Sequence, residues 1–183
     1  MSADVLASVL ARRLVFVTGK GGTGKSTIAA ALALAAAASG RRVLCIDVDA
    51  KGDLARALGG EPAGFRPRVV QPGVSALEMH PEESLQEYLR IYFKVPAFAR
   101  LTPLARVLDF VATGLPGTRE LLIIGKIAYE ERRRESGRPV WDVIVVDGAA
   151  TGHVLSQLSA ARSMMELTRG GVIGSQTEWV DRT

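Results

Sequence analysis

The sequence predicts an α/β fold: a mostly parallel sheet flanked by helices, with a helical insert. Three observations carry that expectation. The apolar run Leu14-Val15-Phe16-Val17 leads into a glycine turn, and the turn opens a long Ala/Leu segment from Ile28 to Ala38. A second apolar run, Val43 to Val48, follows Gly40, so strand, helix and strand alternate as in a parallel βαβ unit with a right-handed crossover. A third, Val143-Ile144-Val145-Val146, ends on Asp147.

Arg13 to Thr18 reads as a buried strand and Gly24 to Ser39 as a helix, closed by Gly40 just past its C-cap. The alanines of that helix let it lie close against a sheet. Arg42 to Val48 forms the second buried strand, and Leu54 to Leu58 starts a short helix ended by Gly59-Gly60. Glu61 to Gly73, rich in proline and glycine, reads as loop; Val74 to Met79 is a third strand, stopped by Pro81.

The interval from Pro81 to Pro139 is far longer than a usual crossover, which predicts an inserted helical layer over residues 84–136. Leu85, Tyr88, Leu89, Tyr92 and Phe93 follow helical spacing, as do Leu101, Leu104, Leu108 and Val111. Thr118 can cap a third helix carrying Leu121, Leu122, Ile124 and Ile127, with a basic end before Gly137. Trp141 to Val146 is another buried strand; a small-residue loop, Gly148 to Gly152, and a helical pattern from Val154 follow.

With 183 residues, 48% of them hydrophobic, residues 1–183 are expected to form one domain with a sizeable core. The net charge of +4 is too small to argue for nucleic acid as a partner. Arg12-Arg13, Arg41-Arg42 and Arg132-Arg133-Arg134 read as solvated faces or helix-end charges. A single cysteine, Cys45, in a β-branched run, excludes an internal disulfide framework and reads as a buried, inert thiol. Residues 1–13 lack the apolar core of a secretory leader, and the uncharged run Ser26 to Gly40 is too short to span a bilayer. A cytoplasmic location is the expectation.

The turn Lys20-Gly21-Gly22-Thr23-Gly24-Lys25-Ser26-Thr27 is the candidate site. A helix start leaves backbone N–H groups unpaired and carries a partial positive charge, so it attracts anions. Gly21, Gly22 and Gly24 let the chain curl with those N–H groups inward, where a Cβ would clash with phosphates or forbid positive φ. Lys25 is placed to reach β- and γ-phosphates and Ser26 to ligate Mg²⁺. The bland alternative is a glycine-rich turn with two surface lysines.

Carboxylates end two of the strands. Asp147 can hold Mg²⁺ through water, or merely solubilise a strand end. Asp47 and Asp49 end the second strand two apart, so their side chains point the same way, where they could position a water and support the metal. The other reading makes them caps of the following turn, a task Asp53 could also perform.

Gly19 to Gly24 followed by Lys25-Ser26 fits the general phosphate-loop spacing, and Lys20 adds a second lysine just after the first glycine. In this "deviant" form the chain resembles one class of P-loop NTPases: ParA/MinD partition ATPases, nitrogenase iron protein, and the ArsA and tail-anchored-protein targeting ATPases. Asp147-Gly148-Ala149-Ala150-Thr151-Gly152-His153 resembles the Asp-Thr-Ala-Pro-Thr-Gly-His switch II motif of the ArsA/targeting family, with Gly148 and Ala150 departing. Leu77-Glu78-Met79-His80-Pro81-Glu82 is similar to its Leu-Glu-Ile-Asp-Pro-Glu strand end, and Pro116-Gly117-Thr118-Arg119-Glu120-Leu121 to its Pro-Gly-x-x-Glu-Leu turn. Asp49-Ala50-Lys51-Gly52-Asp53-Leu54 matches the Asp-Pro-Ala-His-Asn-Leu of switch I loosely.

The resemblance implies a P-loop ATPase that binds ATP and Mg²⁺ and couples nucleotide state to a partner. By it Asp49 falls on the catalytic aspartate, and Lys20 on the lysine that reaches across a dimer interface to the partner's phosphates. Gly21 to Thr27 would bind the nucleotide, with Ser26 and Asp147 at the metal. A homodimer, or a dimer with a paralogue, is implied, with a protein client or membrane-protein partner. Members of the family are considerably longer and carry base-binding residues on later strands, so the domain is expected to be incomplete at its C-terminus. The alternative is a ParA/MinD-like positioning ATPase acting on DNA or a membrane, because Asp47-x-Asp49-x-x-Gly52 resembles that group as well. Thr151-Gly152-His153 and the long insert favour the first reading.

Overall fold

The computed structural model of the protein describes residues 3–80, 83 and 118–150. The expected helices at Leu85–Phe93 and Leu101–Val111, the Pro116-Gly117 pair, and Thr151, Gly152, His153 and all that follows lie outside the described residues. Two compact units divide the chain; the first, Met1–Met79 with Tyr129–Val154, holds the sheet and the site.

In chain order the elements are α1 (Ala3–Leu10), β1 (Leu14–Gly19), α2 (Lys25–Ala38), β2 (Val43–Asp47), α3 (Asp53–Ala57), β3 (Arg68–Gln71) and β4 (Val74–Glu78). After these come α4 (Thr118–Arg132), β5 (Arg134–Glu135), β6 (Arg138–Pro139) and β7 (Val143–Ala150). Among the described residues five strands make one sheet in the order β1-β7-β2-β4-β3. The pairs β1/β7, β7/β2 and β2/β4 are parallel, and only β3 runs antiparallel, beside β4.

The two strands joined by α2 are therefore not neighbours: β7 lies between them. That insertion sets the site, because it brings the end of β7 beside both the glycine turn after β1 and the end of β2. Asp47 pairs in register with Asp147 on one side and with Glu78 on the other.

Alternation along the strands divides the core. Val43, Cys45, Val143, Val145, Val74 and Ala76 share a cluster with Ala29, Ala30, Ala33 and Ala36 of α2. Ala29, Ala33 and Ala36 are fully buried, which is how an alanine-rich helix lies close on a sheet. The intervening positions, Leu44, Ile46, Ile144 and Val146, are buried as well, so the central strands are covered on both faces. Each such side chain stabilises the fold by about 1.5–3 kcal/mol. The Cys45 thiol is buried, and burial pushes its pKa up to about 12, so it is inert. Beyond α2, Gly40 donates to the Ala37 carbonyl and Arg41 to that of Ala36, the paired bonds of a Schellman stop.

Several features depart from the sequence reading. Helix α1 packs Leu6, Val9 and Leu10 against the core. Part of the segment read as loop, Arg68–Gln71, is the edge strand β3, with Val69 exposed. Past α4, Ser136 and Gly137, both at positive φ, turn a short β5–β6 hairpin, a geometry that suits the twist of paired strands. Strand β7 runs on through Gly148 to Ala150, where loop was expected, because Ala150 pairs with Gly19 beyond an irregularity in the ladder.

Candidate functional site

The glycine turn leaves the C-terminal end of β1 and enters α2. Gly24 is the N-cap of α2, at φ 80° and ψ 24°, with no side-chain cap. The first N–H groups of α2 thus lack the partner that a capping side chain usually supplies. A Cβ at Gly24 would meet nothing in space; its left-handed backbone is what calls for glycine. Thr23 Oγ1 donates to the Lys20 carbonyl at 2.8 Å, which ties the turn to itself.

Above this turn lies a cavity of about 520 Å³. Gly21, Gly22, Gly24, Lys25, Ser26 and Thr27 line one part of it. Asp47, Asp49, Lys51 and Asp53 line another, and Asp147 and Gly148 complete it from β7. The structure therefore gathers all but two of the expected residues. Thr23 turns onto its own loop, and Lys20 is exposed outside the lining. Lys51, Asp53, Ala57 and Gly148 were not among the expected residues; position in the loosely matched Asp49–Leu54 segment was the only signal for the first two.

The two β2-end aspartates do not act alike, contrary to the alternation expected of them. The strand stops at Asp47, so the period-2 rule stops there too. Asp47 is 4% exposed, and its Oδ1 accepts the backbone N–H of Asp49 at 3.1 Å and of Ala50 at 3.0 Å. It does cap the turn, as the alternative reading held. Asp49 is half-buried, with Oδ2 3.5 Å from Lys51 Nζ. Ala50 at φ 51° holds a left-handed backbone that costs a residue with a Cβ about 1–2 kcal/mol.

Asp47 Oδ2 and Asp147 Oδ1 are buried without any hydrogen-bond partner. Burial first, then the Asp147 charge, pushes the Asp47 pKa up to about 6. The Asp147 pKa is raised too, chiefly by burial; the Ser26 hydroxyl and the Lys25 ammonium oppose the rise. Unpaired buried carboxylate oxygens are costly, and a hard cation taking oxygen ligands is what relieves them. The donor set of Asp47, Asp147 and Ser26 fits Mg²⁺, which keeps several waters and few protein ligands. Among the described residues no group of three or more His, Cys, Asp or Glu side chains forms a metal cage. Since the aspartates of the lining outnumber its lysines, a polyphosphate would enter together with such a cation.

The family model of the anion-transporting ATPases (ArsA) matches residues 12–171. The chain belongs to this family. It is 36% identical over 174 residues to the ATPase BagA of Mycobacterium tuberculosis, covering 92% of this chain and 51% of that protein. To the ATPase get3 of Schizosaccharomyces japonicus it is 32% identical over 148 residues, covering 79% and 43%. The chain spans about half the length of the curated relatives it matches. Membership of the ArsA family accounts for the parallel sheet and the phosphate-type turn together, and it implies nucleotide binding. Among the described residues no helix is long and apolar enough to cross a membrane.

Proposed function

We propose that this chain binds and hydrolyses Mg·ATP as an ArsA-type switch, and that it works as a dimer coupling nucleotide state to a protein or membrane-protein partner. The observation that carries the reading is the pair of orphaned buried oxygens, Asp47 Oδ2 and Asp147 Oδ1, in one cavity with Ser26, Lys25 and the uncapped start of α2. Names of the matched family and relatives favour this over a ParA/MinD-like positioning ATPase.

In this reading the N–H groups of the turn and of early α2 hold the phosphate chain, and Lys25 neutralises its β- and γ-oxygens. Ser26 and Asp147 hold Mg²⁺, with Asp47 beside them. When bound, Mg²⁺ supplies charge neutralisation across the β- and γ-phosphates. Asp49 orients the attacking water and accepts its proton. Lys20, exposed outside the cavity, acts on the phosphates of a second subunit.

Calorimetry on Lys25→Ala tests the site. Mg·ATP binding is expected to disappear, because the main cation facing the β/γ-phosphates is gone. Undiminished affinity would rule out the phosphate site.

A further inference from the structure

Lys51 stands in the cavity wall that the β2–α3 connection supplies, apart from the glycine turn. Its ammonium lies 3.5 Å from Asp49 Oδ2, and the side chains are 67% and 35% exposed. So exposed a pair is weak and easily exchanged. The backbone beneath it is held firmly: Asp47 Oδ1 takes the Asp49 and Ala50 N–H groups, and Arg56 Nη2 donates to the Lys51 carbonyl at 3.1 Å. The same guanidinium pairs with Asp53. A pinned backbone with an exposed, weakly paired charged tip is suited to move between two partners.

We propose that Lys51 is a latch for the terminal phosphate. Its ammonium pairs with Asp49 while that phosphate is absent and transfers to it when a nucleoside triphosphate enters, freeing the Asp49 carboxylate for water. The inference rests on the proposed phosphate site and deepens it by naming what tells triphosphate from diphosphate. Two observations favour the terminal phosphate. Lys25 and the N–H groups of α2 already serve the turn side of the cavity. Lys51 comes instead from the wall that carries Asp49, where an added phosphoryl group has a carboxylate to displace. A terminal phosphate brings more negative charge to the ammonium than the single charge of the Asp49 carboxylate does. Lys51 lines the cavity of its own subunit, whereas Lys20 lies outside that lining.

Lys51→Gln tests the latch by calorimetry with Mg·ADP and with Mg and a non-hydrolysable triphosphate analogue. Affinity for Mg·ADP should stay within about twofold, while triphosphate affinity falls about tenfold or more. Equal losses for both nucleotides, or a loss for neither, overturn the proposal. Lys25→Ala separates the two levels. If it leaves both affinities intact, the phosphate site itself is wrong. If it removes both while Lys51→Gln changes neither, the latch alone fails.

Discussion

Asp47 and Asp147 face each other in register on adjacent parallel strands, and each keeps one buried oxygen with no hydrogen-bond partner. Without a cation this pair opposes folding. The Asp47 pKa is raised, so the folded protein disfavours its charged form. The cost is absent near pH 3 and below, where the carboxyl is protonated in both states, and complete once pH passes about 6. Asp47→Asn keeps an oxygen for the Asp49 and Ala50 N–H groups and cannot ionise. In the absence of divalent cations it should stabilise the protein at pH 8, by on the order of 2–3 kcal/mol, and leave it nearly unchanged at about pH 3. Urea denaturation at the two pH values measures this, and an equal effect at both would remove the cost of ionising buried Asp47 from the account.

Asp49→Asn should retain Mg·ATP binding and lose about 10²–10⁴-fold in turnover, because an amide cannot take the proton of water. Its half-buried place beside Lys51 suits exchange between partners, whereas Asp47 is occupied with the turn. Steady-state hydrolysis on both variants decides between them. Parent-rate turnover by Asp49→Asn, together with loss in Asp47→Asn, would transfer the role to Asp47.

Ala33 is fully buried where α2 meets the sheet cluster of Val43, Cys45, Val143 and Val145. A larger side chain there must push the helix off the sheet. Ala33→Leu should therefore cost about 1–3 kcal/mol and displace the start of α2, weakening nucleotide binding as well. Exposed Leu34 is the comparison: Leu34→Ala should change stability by no more than about 0.5 kcal/mol. Similar thermal midpoints for the two variants would contradict the close packing.

What could be read in the sequence was local. The turn, the helix after it and the apolar runs that lead to Asp47 and Asp147 were legible because glycine, capping and apolar-run signals act over a few residues, although β7 continues past Asp147 to Ala150. Leu6, Val9 and Leu10 of α1 have helical spacing too, but eight residues ahead of the first strand are too few for that spacing to set them apart from a terminal tail. Strand β3 was hidden between Pro67 and Pro72, and its exposed Val69 gives it no buried alternation; short, proline-bounded strands belong at sheet edges. The place of β7 between β1 and β2 is a pairing between distant parts of the chain, which no local pattern encodes. That pairing is what makes Asp47 and Asp147 neighbours. Lys51 stands in the loosely matching Asp49–Leu54 segment, but its contact with Asp49 depends on the turn that Asp47 organises.

Lys20 carries the last prediction. It stands five residues before Lys25, yet it is exposed and absent from the lining that contains Lys25. Its carbonyl holds Thr23 Oγ1, and its ammonium makes no hydrogen bond or ion pair among the described residues. An exposed cation outside the lining of its own site has a use if a second copy of the site stands opposite, and two-fold pairing is the commonest arrangement of identical chains. It would then supply the charge that other P-loop enzymes obtain from an arginine finger. Lys20→Ala homodimers should bind Mg·ATP with near-parent affinity and hydrolyse it poorly. Lys25→Ala homodimers should fail to bind. In a mixed dimer the Lys20→Ala subunit keeps its own Lys25 and receives Lys20 from its Lys25→Ala partner, so one working site returns. Mixing the two inactive variants should accordingly restore turnover, up to half the parent rate per dimer if all dimers were mixed. Subunit exchange followed by native mass spectrometry shows whether mixed dimers form. Mixed dimers without recovered hydrolysis would place the action of Lys20 within its own subunit, and an ATP-bound monomer with full activity would remove the need for a partner.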